Sequence, residues 1–354
     1  LSWLFVALTC FLLSSRRMKV ASALFLLAVA LVHAQSPTPP VPGRLVDLGG
    51  YRLHLNCTGR GKPTVVFSPG AGDFSFDWYL VQSEVAKFTR ACSYDRGGEA
   101  WSDLGPAPRT IHQEAYDLGR LLHKAKEKGP FILVGQSAGG PVIRLFQQRY
   151  PQDVTAMVLV DAFHEDGRLF INGKLQKLRD LAKDRPVPQV RDHSGPGDGL
   201  SDEGIAKIKE AIVKYDMKPT IDPPFDKLPP EIQKLRLWAL AKYSHFVALD
   251  NDFNAEEAET FFKDHQQNPQ PLGDIPLIVL SRSRDEYPAR FAEQLSAEHR
   301  AQQVELAALS RHARQMIVPE SGHHIQLDQP RAVVDAIREA ISEATHSPAA
   351  SPLH

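Results

Sequence analysis

Phe131-Ile-Leu-Val-Gly-Gln-Ser137-Ala-Gly-Gly140 is the stretch on which the reading of this chain turns. Its first four residues form a continuous apolar run, as suits a strand covered on both faces of a parallel sheet. Gly135-Gln136-Ser137-Ala138-Gly139 then has the G-x-S-x-G pattern of a nucleophile elbow, a sharp turn from strand into helix. The two glycines remove side chains where the backbones converge, and the turn lifts the serine hydroxyl above the sheet edge. A helix starting there points its first N–H groups at the same place and favours negative charge. Ser137 is therefore expected to be a nucleophile.

A serine at its ordinary pKa attacks poorly, so a base must take its proton and a third group should orient that base. Downstream, Met316-Ile-Val-Pro-Glu-Ser-Gly-His323-His-Ile-Gln-Leu-Asp-Gln-Pro330 sets His323 on a loop between an apolar strand and a helix opened by Pro. His323 is the expected base. His324 is its rival, but the spacing of Ile325 and Leu327 turns it elsewhere. For the acid, Leu277-Ile-Val-Leu-Ser-Arg-Ser-Arg-Asp285 puts a carboxylate just past the penultimate strand, in the chain order Ser, Asp, His. Asp285 is expected in that role. The alternative is Asp161, which ends the run Val158-Leu-Val and suits a hinge. Backbone N–H donors for a developing oxyanion are expected at Ala138 and at Ala71, within Ser68-Pro-Gly-Ala-Gly72, where Gly70 and Gly72 shape the turn.

Outward from this stretch the signals alternate between short β-rich runs and longer helical patterns, which predicts an α/β fold with a largely parallel sheet. Buried strands are expected at Thr64–Phe67, Phe131–Val134, Ala156–Val160, Leu277–Leu280 and Met316–Val318. Tyr51, Leu53, Leu55 and Cys57 alternate with Arg52, His54 and Asn56, as in a half-exposed edge strand. Helices are expected at Ile111–Lys124 and Pro330–Ile341. From His164 to Gly273 no strand is evident, only helical stretches such as Gly204–Lys214 and Leu228–Ala248 among loops. An insertion of that size between two strands reads as a cap. The expected division is a core in two parts, 44–163 and 274–345, with a helical cap at 164–273 and a flexible tail at 346–354.

The first residues read differently. Met18-Lys19, the apolar run Ala21–Val32 and Val32-His33-Ala34 have the charged, apolar and small-residue parts of a secretory signal. A leader over 1–34, starting functionally at Met18 and cleaved after Ala34, is expected, with 35–43 as a tether. That implies a secreted or periplasmic protein. The alternative is a membrane anchor formed by the earlier run Trp3–Leu13, although neither run reaches the roughly 18 residues of a spanning helix.

Composition excludes several classes. A net charge of -1 over 354 residues gives no field to gather nucleic acid. There is no H-E-x-x-H, paired C-x-x-C or EF-hand loop, and the glycine-rich segments lack P-loop and dinucleotide spacing. No metal and no cofactor are expected, and the expected partner is a small acyl substrate.

Arg52-Leu-His-Leu-Asn-Cys-Thr-Gly59, the Ser68–Gly72 loop, Ser93-Tyr-Asp-Arg-Gly97 with Trp101-Ser-Asp103, the Ser137 elbow, Val158-Leu-Val-Asp161 and the Ser-Gly-His323 loop together resemble the α/β-hydrolase superfamily over about 44–344. The resemblance implies an eight-stranded, mostly parallel sheet with its second strand antiparallel, a helical cap after the sixth strand, and cofactor-free ester or acyl hydrolysis. Peptidases of the proline-iminopeptidase sort and acyl transferases use the same residues, and some members only bind ligands. Many relatives open the oxyanion loop with His-Gly where this chain has Pro69-Gly70. The implied strand order lays the end of the second strand beside the start of the fourth, so Cys57 and Cys92 are expected to form a disulfide.

Overall fold

The continuous apolar runs become strands and the amphipathic runs become the helices that cover them. The computed structural model describes residues 38–171, 174–182, 187, 189–191, 201–251 and 255–346. The expected leader, residues 35–37 of the tether and the tail beyond residue 346 lie outside them. The strands of the main sheet are β1 (Arg44–Asp47), β2 (Arg52–Thr58), β3 (Thr64–Ser68), β4 (Ala91–Tyr94), β5 (Phe131–Gln136) and β6 (Val154–Val160), followed late in the chain by β9 (Leu277–Arg282) and β10 (Ala313–Val318). They form one eight-stranded sheet in the order β1-β2-β4-β3-β5-β6-β9-β10. β2 pairs antiparallel with both neighbours, and the remaining pairings are parallel.

Successive side chains of a strand point to opposite faces, and the two faces bury two apolar layers. Val66, Leu133, Leu159 and Val279 pack with Leu118, Leu121, Val142 and Phe146, from helices α2 (Ile111–Lys124) and α3 (Gly139–Arg149). Phe67, Val134, Val158 and Leu280 pack with Val81, Val85, Val333 and Ile337, from α1 (Tyr79–Val85) and α10 (Pro330–His346). Thr110 caps α2 by accepting from the Gln113 N–H at 3.0 Å, which fixes where that helix begins.

β2 is not the edge strand its alternation suggested. β1 covers it, and His54 is fully buried with Nδ1 2.7 Å from Asp95 Oδ2. The alternation of β2 reflects a polar residue paired inside the core, a case that period alone does not separate from exposure. Cys57 and Cys92 lie directly opposite in the β2–β4 register and are joined by a disulfide.

Between β6 and β9 lies the long insert. It holds helices α4 (Asp202–Tyr215), α5 (Pro230–Leu240), α6 (Tyr243–Asn251) and α7 (Ala255–Gln267). It also holds a two-stranded antiparallel hairpin, β7 (Arg168–Ile171) with β8 (Lys174–Lys177), where no strand was expected. The signal was Asn172-Gly173 between the two runs, the residue pair that suits a two-residue hairpin turn. The expected helix Leu228–Ala248 is two helices, α5 and α6. The core resumes with α8 (Ala292–Ala307) after β9, and a short helix α9 (Ile325–Asp328) precedes α10. No helix among the described residues is long and apolar enough to cross a membrane.

Candidate active site

Ser137 stands at the carboxyl end of β5 with φ +49, the left-handed region that a residue with a Cβ adopts only under strain. Close approach makes this turn possible. A Cβ on Gly135 would lie 2.6 Å from the Gly139 carbonyl oxygen, and one on Gly139 would lie 2.3 Å from that of Ser68. The Ser137 N–H donates to Val160 O at 3.3 Å, while its own carbonyl accepts from Gly140 and Phe163 at 3.0 and 2.9 Å. Ala138 follows, buried, at the head of α3. Its N–H and those of the first turn are the backbone donors nearest the serine in sequence.

His323 lies on the loop between β10 and α9, pinned on several sides. Its backbone N–H donates to Glu286 Oε2 at 3.0 Å and its carbonyl accepts from Gln136 Nε2 at 3.2 Å. The neighbouring Gly322 N–H donates to Asp328 Oδ2 at 2.6 Å. Two further backbone bonds, from Ser283 and Arg284 to Ser321 O, tie this loop to the one after β9.

The carboxylate on His323 is that of Asp161. Its Oδ2 lies 2.6 Å from His323 Nδ1. Asp285, the residue expected there, is exposed in the loop after β9. Asp161 directly follows β6, the strand paired with the serine strand β5, whereas Asp285 lies three residues past the end of β9 in a loop that leaves it exposed. The Asp161 N–H extends the ladder by donating to Leu280 O at 2.7 Å, and Asp161 shares with Ser137 a positive φ, +43. The position at the end of β9 is taken by Arg282, whose N–H donates to Asp161 Oδ1 at 3.1 Å and whose Nη1 donates to Oδ2 at 2.6 Å. His299 Nε2 lies 2.9 Å from Asp161 Oδ1. Burial by itself raises the Asp161 carboxyl, but hydrogen bonds from His299 and His323 and the charge of Arg282 outweigh it and hold it well below the usual carboxylate range. Sequence reasoning missed Arg282 and His299, for neither carries a motif.

Ser137, Asp161, Arg282, His299 and His323 line one cavity of about 340 Å³. Phe163 and Arg168 from the start of the insert, and Tyr287, Leu295 and Glu298 from the segment after β9, complete much of its wall.

The Ser68–Gly72 loop closes the other side of the serine. A Cβ on Gly70 would stand 3.1 Å from Ser137 Cβ, and the Gly70 carbonyl is held by Arg96 Nη2 at 2.5 Å. Ala71 is half-buried in this loop. His324 turns away from His323 and places Nε2 3.2 Å from Asp73 Oδ2.

Two groups of side chains among the described residues approach the spacing of metal ligands. One contains Cys57 and Cys92, whose sulfurs are bonded to each other. In the other, His164 Nδ1 accepts from the Asp166 N–H at 3.1 Å, so Nε2 carries the proton of the neutral ring. There Glu165 already binds Arg144 and His265, at 2.8 and 2.7 Å. Such a donor set is committed to hydrogen bonds and ion pairs.

The profile of the Alpha/beta hydrolase family matches residues 65–336. An AB hydrolase superfamily protein of Gibberella zeae is 25% identical over 300 residues, covering 79% of this chain and 86% of its own. Among solved structures, a thermophilic esterase from Thermogutta terrifontis is similar at 20% identity and TM-score 0.55, covering 85% of this chain and 99% of its own. An enol-lactonase from Burkholderia xenovorans is similar at 16% identity and TM-score 0.57, covering 84% and 100%. At these identities the likeness to the solved structures shows the fold alone. The chain spans only about a fifth of the length, 22%, of the uncharacterized vacuolar membrane protein of Saccharomyces cerevisiae that it matches at 34% identity.

Proposed function

This chain belongs to the alpha/beta hydrolase family, and from the geometry of its site we propose that it is a serine hydrolase that cleaves a carboxylic ester or related acyl compound. The observation that carries the reading is the 2.6 Å contact of Asp161 with His323 in the cavity that Ser137 also lines. Ser137 Oγ attacks the substrate carbonyl while His323 Nε2 takes its proton. Asp161 holds the ring with Nδ1–H toward itself, so that Nε2 faces the serine, and stabilises the imidazolium that forms. The N–H groups of Ala138 and Ala71 receive the oxyanion, assisted by the head of α3. His323 returns the proton to the leaving group, and water then enters by the reverse sequence to free the acid and Ser137.

A cavity of about 340 Å³ stands at the lower end of the ~300–1,000 Å³ range of small-molecule sites. Arg168, Glu298 and His299 give its wall a polar side. Short acyl chains therefore suit it better than long ones. The insert serves as a cap: α6 packs Leu249 and His245 against Gly72, and Ser244 Oγ donates to Gly98 O at 2.7 Å, so it rests on the loops after β3 and β4. The Cys57–Cys92 disulfide supports export to an oxidising compartment.

Labelling with a fluorophosphonate, followed by peptide mapping of the adduct and a p-nitrophenyl ester series, tests the reading. Modification of Ser137 and a kcat/KM that peaks at acetyl to butyryl and falls by octanoyl are expected. An intact protein that takes no label and turns over no ester would overturn it.

A further inference from the structure

A second buried carboxylate, besides that of Asp161, stands near Ser137. A Cβ placed on Gly70 would lie 3.0 Å from Asp73 Oδ2 and 3.1 Å from Ser137 Cβ, so the Asp73 carboxylate and the serine face the same glycine. Asp73 and Asp77 are both buried, at 4% and 1% exposure. Asp73 donates its backbone N–H to Gly70 O at 3.2 Å, and Asp77 Oδ2 accepts the Phe74 N–H at 2.9 Å, so the two residues brace the loop that carries Ala71. In the proposed mechanism an oxyanion forms against that loop. A second negative charge nearby in a site of low dielectric opposes it.

The counter-charge comes from the insert. Arg236 of α5, itself 7% exposed, donates Nη1 to Asp77 Oδ2 and Nη2 to Asp73 Oδ1, the latter at 3.4 Å. The guanidinium is clamped between Phe225 of the insert, 3.3 Å from the ring centroid, and Phe74 of the core, at 5.3 Å. Phe225 also packs edge-on against His324 at 4.6 Å, and His324 supplies the other contact of Asp73. One side chain of the insert thus ties together the loop after β3 and, through Phe225 and Asp73, the loop that bears His323.

We propose that Arg236 is a positioning residue of the hydrolytic site: by pairing with Asp73 and Asp77 it neutralises the carboxylate beside Ser137 and fixes the oxyanion loop, so that the centre is competent only while the insert is docked. This rests on the serine-hydrolase reading. A docked insert is then a condition for turnover and not only a wall of the cavity, because withdrawing α5 leaves Asp73 facing the forming oxyanion with His324 alone. Burial, together with the charge of Asp73, already pushes the Asp77 carboxyl up to about 6. It can take up a proton when Arg236 is lost. Asp73, held low by His324 and Arg236 against its burial, is the carboxylate that stays charged.

The test compares the full chain with R236M, R236K and R236M/D73N on p-nitrophenyl acetate, with fluorophosphonate labelling and thermal unfolding measured for each. R236M is expected to lower kcat about 10²-fold with KM changed only a few-fold, the size of loss seen when one oxyanion donor is removed. R236K recovers part of it by restoring the charge. R236M/D73N, in which the opposing carboxylate is gone, is expected within about tenfold of the parent. Should R236M not fold, the double variant carries the test alone: turnover near the parent supports charge compensation, and a 10²-fold loss overturns it. A folded R236M with unchanged kcat also overturns the inference, provided the parent labels at Ser137. A parent that does not label removes the serine-hydrolase reading itself.

Discussion

The sheet core and the insert meet the same candidate site by different means. In the core, Ser137, Asp161 and His323 are set by backbone: the ends of three parallel strands or the loops beyond them, two residues held at positive φ, and apolar layers on both faces. The insert is fastened to the core by an apolar patch, Phe225, Leu228, Ile232 and Ala239 with Phe74, Phe76 and Trp101, and by a set of buried polar contacts. The latter include Arg236 with Asp73 and Asp77, His245 with Glu99 at 2.6 Å, Glu165 with Arg144 of α3 at 2.8 Å, and Glu257 receiving the N–H groups of Ile111 and His112 at 2.6 and 2.9 Å at the head of α2. Apolar burial is non-directional and tolerates small shifts. Buried ion pairs contribute little net stability when whole, yet cost about 3–5 kcal/mol when one partner is removed. The core should therefore fail gradually under mutation, whereas the insert should have a definite seat and lose it abruptly.

If the chemistry resides in the core, Ser137→Ala should have the largest effect. Turnover of a short p-nitrophenyl ester is expected to fall by about 10⁵-fold or more, since members of such a unit are not additive, with thermal unfolding nearly unchanged and no fluorophosphonate adduct. Residual labelling at full rate in that variant would move the nucleophile elsewhere.

Asp161 sharpens the boundary, for it directly follows β6, where the core gives way to the insert. Asp161→Asn is expected to reduce kcat by about 10²- to 10⁴-fold, as loss of the orienting acid does in a related triad, while Asp285→Asn stays within about twofold of the parent. Equal effects of the two substitutions on kcat would contradict the assignment drawn from the 2.6 Å contact.

The disulfide belongs wholly to the core and offers a contrast to the charged seats of the insert. Closing a loop of sequence separation 35 is worth about 4 kcal/mol in the chain-entropy model. Replacing both cysteines by serine should lower the unfolding midpoint by several degrees and leave the dependence of kcat/KM on acyl length unchanged. A changed acyl profile would mean that β2 and β4 help shape the cavity.

Legibility followed the same division. The buried strands β3, β5, β6, β9 and β10 and helix α2 could be read because a two-faced apolar run or a 3.6-residue stripe is a local property, and the elbow at Ser137 and the loop at His323 could be placed because both are local too. The pairing of Asp161 with His323 was not legible from distance along the chain. Two carboxylates follow two strands that both lie between β5 and β10, and it is the course of the loop after β9, which leaves Asp285 exposed, that decides between them. His54 was misread as exposed because its partner Asp95 is 41 residues away. Arg236 and Asp73, separated by 163 residues, left no trace in either local sequence. What escaped was every feature made by the meeting of two polar side chains from distant segments.

The joint between the two regions supplies the smallest predicted effect and the one most specific to pH. His164, three residues beyond Asp161, is buried at 2% exposure. Burial outweighs the pull of Glu165 and, helped by the charges of Arg144 and His265, lowers it from 6.5 to about 4. Because the folded state resists protonation there, the unfolded chain binds more protons than the native one between those values, and stability rises with pH across the window. The contribution is fully present above about 6.5 and is lost progressively as pH falls toward 4, amounting to about 3 kcal/mol at ~1.4 kcal/mol per unit. Asp161 and Glu165, both held low, add their own loss only nearer the ordinary carboxylate range, whereas Asp77, raised to about 6, and Glu99, also raised, work in the opposite sense within the interval from about 4.5 to 6.5, so His164 is read there from a difference between parent and variant. His54 and His324 are raised instead, and their contributions are lost as pH rises above 6.5, outside this interval. Urea unfolding of the parent and of His164→Gln at half-unit steps from pH 4.5 to 7 isolates the difference: the stability of the parent relative to the variant should fall on the acid side, the contributions of Asp77 and Glu99 being common to both. Parallel curves would mean that His164 protonates freely in the folded protein, and the joint would then be looser than its buried contacts with the insert require.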